Sequence, residues 1–84
     1  MVLPQQPVTL TVEQIAALNR GLADMRHDVN NHLSLVLAAV ELIRAKPQMT
    51  ERMITTLLEQ PPKISQAMQK YSSEFENAYG IKRH

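Results

Sequence analysis

The chain has no cysteine and no tryptophan, and only two of its 84 residues are glycine. Aromatic residues make up 4% of the sequence, so few large rings are present to fill a core. The lack of cysteine excludes disulfides and cysteine-based metal sites. Because a short chain buries a small fraction of its surface on folding, we expect either a very regular helical bundle or a stabilising partner chain.

Several classes of function are disfavoured by what else is missing. No apolar run approaches the ~20 residues that span a bilayer, and Met1–Leu10 has neither the basic start nor the apolar core of a secretory signal. The formal net charge is +1, and apart from the pair Lys82–Arg83 the basic residues are scattered. Gly21 and Gly80 are too far apart to form a phosphate-binding loop. We therefore predict no membrane segment, no nucleic-acid partner and a cytoplasmic location.

The first half of the chain predicts one long helix. Two prolines within residues 1–10 favour an extended lead-in, and Thr11 with Gln14 fits a capping box. The following apolar residues recur at alternating gaps of three and four, with one position skipped, which predicts a helix over 12–45 with one buried seam. The members of this seam are Ile15, Leu18, Leu22, Met25, Val29, Val36 and Ile43. Three further residues widen the apolar stripe: Leu33, Leu37 and Val40.

The second half predicts a connector and another helix. Residues 46–49 are a short connector, after which Thr50 is expected to cap a helix over 50–79. Its apolar residues again follow heptad steps: Ile54, Leu57, Ile64, Met68, Tyr71, Phe75 and Ala78, with Pro61 in the empty position. The pair Pro61–Pro62 is expected to kink this helix. Gly80 is expected to end it, with residues 81–84 as a tail.

The expected fold class follows from the short connector and the width of the apolar stripes. Two long helices joined in this way predict an antiparallel hairpin over residues 11–80. Each stripe is too wide for the other helix to cover. We therefore expect an all-α protein, an antiparallel two-helix hairpin that dimerises about a two-fold axis into a four-helix bundle.

A polar segment in the middle of the first helix carries the candidate chemistry. On the heptad, His27 points away from the seam, Asn31 follows one turn later on the same side, and Asp28 flanks the histidine. A neutral imidazole is a nucleophile toward phosphorus, and a neighbouring carboxylate can hold the proton on its other nitrogen. Asn31 can orient a water or a phosphoryl oxygen. The alternative for all three residues is a solvated helix surface without a function.

The segment Arg26-His27-Asp28-x-x-Asn31-x-Leu33 resembles the phosphoacceptor box of the dimerisation and histidine-phosphotransfer domain of two-component sensor kinases. Its form is closest to the branch that includes the sporulation phosphotransferases and the citrate- and quorum-sensor kinases. The resemblance in layout covers most of the chain, whereas the motif itself is short. The resemblance implies that His27 is the phosphoacceptor, that Asp28 is an assisting acid, and that Asn31 supports phosphorylation or dephosphorylation.

The chain departs from that family in two respects. His32 stands where many members have a proline, and nothing in the sequence resembles the Asn-rich and Gly-rich boxes of the ATP-binding domain. The resemblance therefore implies a phosphotransfer module that is not a complete kinase and binds no cofactor itself, so that ATP and Mg²⁺ come with partner domains. The implied partners are a second copy of the chain, a response-regulator receiver domain and a separate ATP-binding kinase domain.

Three functions remain open from the sequence. In the first, His27 accepts a phosphoryl group and passes it to a response-regulator aspartate. In the second, the chain is a non-catalytic dimerisation or docking protein with a degenerate kinase-like bundle. In the third, it imitates the phosphotransfer domain and inhibits a kinase.

Two neighbouring residues are expected to be structural: His32 as a hydrogen-bonded histidine in the seam, and Arg26 in a flanking salt bridge. With His84 in the tail, the three histidines form no metal site.

Overall fold

The structure, a computed structural model, describes residues 2–80 and consists of two helices that pack against each other. Helix α1 spans Val12–Ala45 and helix α2 spans Thr50–Tyr79, with one 3₁₀ turn, Pro47–Met49, between them. The all-helical hairpin is therefore confirmed, and the helix bounds coincide with those that the apolar spacing predicts. No helix in the described part of the chain is long and apolar enough to cross a membrane.

Local signals in the sequence set the start of α1 and the end of α2. The Thr11 hydroxyl accepts a hydrogen bond from the backbone N–H of Gln14 at 3.0 Å, and the Gln14 side-chain oxygen accepts one from the Thr11 N–H at 2.8 Å. The predicted capping box is thus confirmed. Gly80 ends α2 with φ 70°, in the left-handed region that favours glycine. The predicted tail over 81–84, with its basic pair and His84, lies outside the described residues.

The start of α2 differs from the prediction. Thr50 is the first residue of the helix and not its cap, because Met49 takes the N-cap position without a side-chain hydrogen bond. The Thr50 hydroxyl donates instead to the carbonyl oxygen of Pro47 at 2.5 Å. This hydroxyl therefore closes the connector rather than satisfying a free N–H in the first turn of α2.

Pro61 and Pro62 lie inside α2, and the helix continues through both of them. Because neither proline has an N–H, the carbonyls of Leu57 and Leu58 lose the donors they would have in an ordinary helix. The prolines therefore leave two backbone hydrogen bonds missing within a continuous helix.

The contact between the helices uses only part of the predicted seam. On α1 the buried and half-buried residues are Leu18, Gly21, Met25, Val29, His32, Val36, Ala39 and Ile43. Five residues that the apolar spacing places in the seams are exposed in the single hairpin: Ile15, Leu22, Ile54, Met68 and Phe75. The prediction of one seam on each helix is wrong for these five, because the apolar positions divide between the hairpin contact and an outward face.

The hairpin has very little interior. Among the described residues only Ala39 and Gln60 are buried. The accessible surface of 6606 Å² exceeds by about 1,500 Å² the ~5,000 Å² expected for a compact monomer of 9.5 kDa. The radius of gyration is 18.0 Å, compared with ~12 Å for a compact domain of this length. A single copy therefore leaves many apolar side chains exposed, among them Leu37 and Leu58.

Candidate functional site

His27 lies on the outer side of α1, away from α2, and its side chain is 84% exposed. Its Nδ1 atom is 3.8 Å from Oδ1 of Asp28, whose side chain is 57% exposed. This distance is too long for a hydrogen bond, but the two groups are close enough to interact electrostatically when the ring is positive. The second ring nitrogen, Nε2, has no partner within the described residues and is open to an incoming group.

Asn31 is exposed one helical turn after His27 and on the same side of α1. Within residues 2–80 its side chain makes no hydrogen bond. Mid-helix backbone groups bond to each other, so the polar side chains of this segment are free to meet a partner. The structure therefore brings His27 and Asp28 together and places Asn31 beside them.

Asp28 also borders a groove between the two helices. The residues that line the groove are Gly21, Asp24, Met25, Asp28, Ala67, Lys70, Tyr71 and Glu74. Three of them are acidic and one is basic, so the groove next to His27 is mainly acidic. Of the predicted site residues only Asp28 lines this groove, and Lys70 and Glu74 of α2 were missed because their position depends on how the two helices align.

Five exposed apolar residues of α1 lie on one side of the hairpin. At about 100° per residue, they form a strip roughly 90° around the helix from the strip that contacts α2. Its members are Ile15, Leu22, Leu33, Leu37 and Val40.

Helix α2 has a matching strip, displaced from its own contact strip by a similar angle. Its members are Ile54, Leu58, Met68 and Phe75. Because the helices are antiparallel, the two strips lie on the same side of the hairpin. We call these nine residues, which are 38–72% exposed, the apolar face. His27 belongs neither to the apolar face nor to the contact between the helices.

His32 occupies the centre of the contact between the helices. Its Nδ1 is 2.8 Å from Oε1 of Gln60, and the Gln60 side-chain nitrogen donates to the Thr56 carbonyl at 2.8 Å. Since the amide nitrogen of Gln60 is engaged there, Oε1 is the acceptor and Nδ1 of His32 carries the hydrogen. The predicted hydrogen-bonded seam histidine is confirmed.

The partner of His32 was not predicted. Pro61 was placed in the empty heptad position, but it is exposed, and the buried residue is Gln60. The signal that could have found it is its spacing, three residues after Leu57 and four before Ile64.

Two other predictions concern charged and metal-binding groups. The salt bridge expected for Arg26 is absent from residues 2–80, where the lysine and arginine ion pairs are Arg44–Glu41 and Lys63–Glu59. In the same part of the chain, no group of three or more histidine, aspartate or glutamate side chains is arranged to hold a metal ion. The candidate chemistry therefore rests on the exposed histidine and its acidic neighbour.

Comparisons with protein-family models, with curated proteins and with solved structures found no significant match.

Proposed function

We propose that this chain is a histidine phosphotransfer and dimerisation module of a two-component signalling system. The observation that supports the proposal best is His27 itself, an exposed mid-helix imidazole with a carboxylate 3.8 Å from Nδ1 and with Nε2 unpartnered in the described part of the chain. A bulky protein donor can approach such a nitrogen from solvent, which phosphoryl transfer between proteins requires. The resemblance of the segment around His27 to the phosphoacceptor box of sensor kinases supports the same role.

The proposed reaction has two steps at His27. In the first, Nε2 of the neutral ring attacks the phosphorus of a donor, the N–P bond forms, and the electron pair of the breaking P–O bond leaves with the donor oxygen. The ring is then positive with its hydrogen on Nδ1, and Asp28 stabilises that charge. In the second, an aspartate oxygen of a receiver domain attacks the phosphorus, and the N–P electron pair returns to Nε2. Asn31 orients a phosphoryl oxygen or a water.

The metal and the nucleotide in this scheme belong to the partners. Phosphoryl transfer is stabilised mainly by positioning and by opposing charge, which Mg²⁺ commonly supplies. We expect Mg²⁺ to enter with the receiver or kinase domain, and ATP to be bound by a separate kinase domain. We expect the module to act in the cytoplasm, where such partners meet.

The proposed module is a homodimer that pairs through the apolar face. Among the described residues one hairpin buries only Ala39 and Gln60, and its excess surface of about 1,500 Å² is about twice the ~800 Å² that each partner buries in a standard interface. Two apolar faces related by a two-fold axis form a four-helix bundle. Because His27 lies outside the apolar face, it remains accessible in this dimer.

The test is transfer of phosphate from a panel of receiver domains charged with radiolabelled acetyl phosphate. The wild-type chain should take up acid-labile, base-stable label, and His27→Gln should take up none. His84→Gln is the control, because it removes another histidine and should label normally. Acid-labile label that persists in His27→Gln would refute the assignment of His27.

The alternative is a dimerisation or docking protein without catalysis, and the extent of the apolar face favours it as the second candidate. It predicts the same dimer, with no label from any receiver or kinase. The inhibitor variant of this alternative additionally predicts that the chain lowers the autophosphorylation rate of a kinase to which it binds.

A further inference from the structure

We infer that His32 is a positioning residue. Its hydrogen bond to Gln60 fixes where the His27 turn of α1 lies along the length of α2. The bond joins residues 28 positions apart in sequence, with Nδ1 and Oε1 separated by 2.8 Å. Its consequence for phosphotransfer rests on the proposed function, whereas its consequence for the alignment of the helices does not.

The rest of the contact between the helices specifies their alignment only weakly. It consists mainly of aliphatic, alanine and methionine side chains at heptad-like spacing. Such a contact can repack after a shift of a whole turn or heptad, because apolar contacts have no required direction. A hydrogen bond is directional, and its donor and acceptor atoms must lie within about 3.2 Å of each other.

A shifted alignment would separate Nδ1 of His32 from Oε1 of Gln60 and leave that buried oxygen without its donor. Gln60 is 2% exposed, and its Oε1 atom accepts from His32. Losing that donor in a buried site lowers the equilibrium constant for the shifted state by roughly tenfold or more. A single buried polar contact can select one alignment among several apolar ones in this way.

The bridge is attached to the turn of α2 that precedes its two prolines. Pro61 and Pro62 follow Gln60 directly and remove two backbone donors from this turn. The Gln60 side chain donates to the carbonyl of Thr56, immediately before the two carbonyls that lack donors. The bridge therefore ties the proline turn of α2 to α1 at a point where α2 has few bonds of its own.

The effect reaches His27 through the backbone of α1. The two histidines are five residues apart, about 7.5 Å along the helix axis, and they point to different sides. His32 does not touch the reacting nitrogen. It sets the position of that nitrogen along the hairpin axis relative to the α2 side of the acidic groove, which includes Lys70 and Glu74.

The first arm of the test measures the bridge by NMR on the full ¹⁵N-labelled chain. The neutral ring of His32 should show the tautomer with hydrogen on Nδ1. Contact between the Gly21 α-protons and the Tyr71 ring reports the alignment, because a Cβ at position 21 would lie 3.2 Å from Cδ1 of that ring. We expect one set of these signals in the wild type.

The second arm replaces the bridge with an apolar pair, His32→Leu with Gln60→Leu, which removes both polar groups and should remain folded. In this variant the Gly21–Tyr71 contact should weaken or split into several sets, and the rate of His27 labelling should fall at least threefold. Met25→Leu is the control, since it is a volume-conserving change in the same contact that leaves the bridge intact. His32→Leu alone should lower the folding equilibrium constant about tenfold, and the double substitution should recover part of that loss.

The outcomes separate the inference from the proposed function. One unchanged set of Gly21–Tyr71 signals in the double variant would overturn the inference, and so would an unchanged rate of labelling. If the wild type takes no phosphate, the proposed function fails, and the NMR arm still decides whether the bridge sets the alignment.

Discussion

Gly21 of α1 packs against the ring of Tyr71 of α2. A Cβ atom at position 21 would be 3.2 Å from Cδ1 of that ring and would also meet the Glu74 carboxylate. Glycine inside a helix costs about 1 kcal/mol relative to alanine. The close approach gives a physical reason for the glycine, because a methyl group here would require the Tyr71 ring to shift by a few tenths of an ångström and the Glu74 carboxylate to move.

This contact predicts that the effect of Gly21→Ala depends on the residue opposite. In the wild type we expect no net stabilisation, because the gain in helix propensity is offset by displacement of the half-buried Tyr71 ring. In a Tyr71→Ala background, Gly21→Ala should raise the free energy of unfolding by about 1 kcal/mol. Urea denaturation of the four chains, followed by circular dichroism, measures the difference. An equal gain of about 1 kcal/mol in both backgrounds would contradict the contact.

The capping box at the start of α1 predicts a local effect of Thr11→Ala. The substitution removes the hydroxyl that accepts from the Gln14 N–H, and the free energy of unfolding should fall by about 1 kcal/mol. Hydrogen exchange should show faster opening of the first turn of α1. Thr9→Ala is the control, since Thr9 is exposed in the lead-in and should have no measurable effect. Equal losses for the two variants would count against the cap.

The apolar face predicts that two nearby leucines differ in their effect on assembly. Leu37 belongs to the face and is 63% exposed in the single hairpin, whereas Leu35 is 42% exposed on another side of α1. Leu37→Glu places a charge in the proposed interface and should dissociate the dimer at micromolar concentration. Leu35→Glu should remain dimeric. Light scattering coupled to size-exclusion chromatography measures both, and a wild-type monomer would refute the proposed dimer itself.

The parts of the fold that depend on local signals could be predicted from the sequence. The capping box of Thr11, the glycine at position 80 and the apolar spacing set the ends of the helices, because each acts within one or two turns. The exposure of His27 also followed from its place on α1. The prediction that Thr50 caps α2 was wrong, because its hydroxyl donates to the carbonyl of Pro47 in the 3₁₀ turn.

The parts that depend on how the helices align could not be predicted. Periodicity gives the direction of an apolar stripe, but it does not say which part of a wide stripe faces the other helix, so Leu18 and Leu22 were treated alike. The burial of Gln60 depends on His32, 28 residues away, and no local pattern links the two.

The charge of Asp28 supplies the sharpest test of the proposed reaction at His27. Asp28→Asn keeps the size and position of the side chain but removes the negative charge 3.8 Å from Nδ1. Because the ring becomes positive during transfer, the rate of labelling should fall by up to about fivefold, the effect of losing an exposed charge pair worth at most about 1 kcal/mol. Raising the salt concentration should slow the wild type more than the variant, since exposed charges are screened.

The matched control for this prediction is Asp24→Asn, one turn earlier on the border of the same groove. This change removes the same charge from the surface without touching His27, so the initial rate at saturating phosphorylated receiver should stay within about twofold of the wild type. Circular dichroism should show unchanged helix content in both variants. Equal losses of rate in the two variants would mean that the charge of the acidic surface as a whole affects the transfer, and that Asp28 has no special role beside the imidazole.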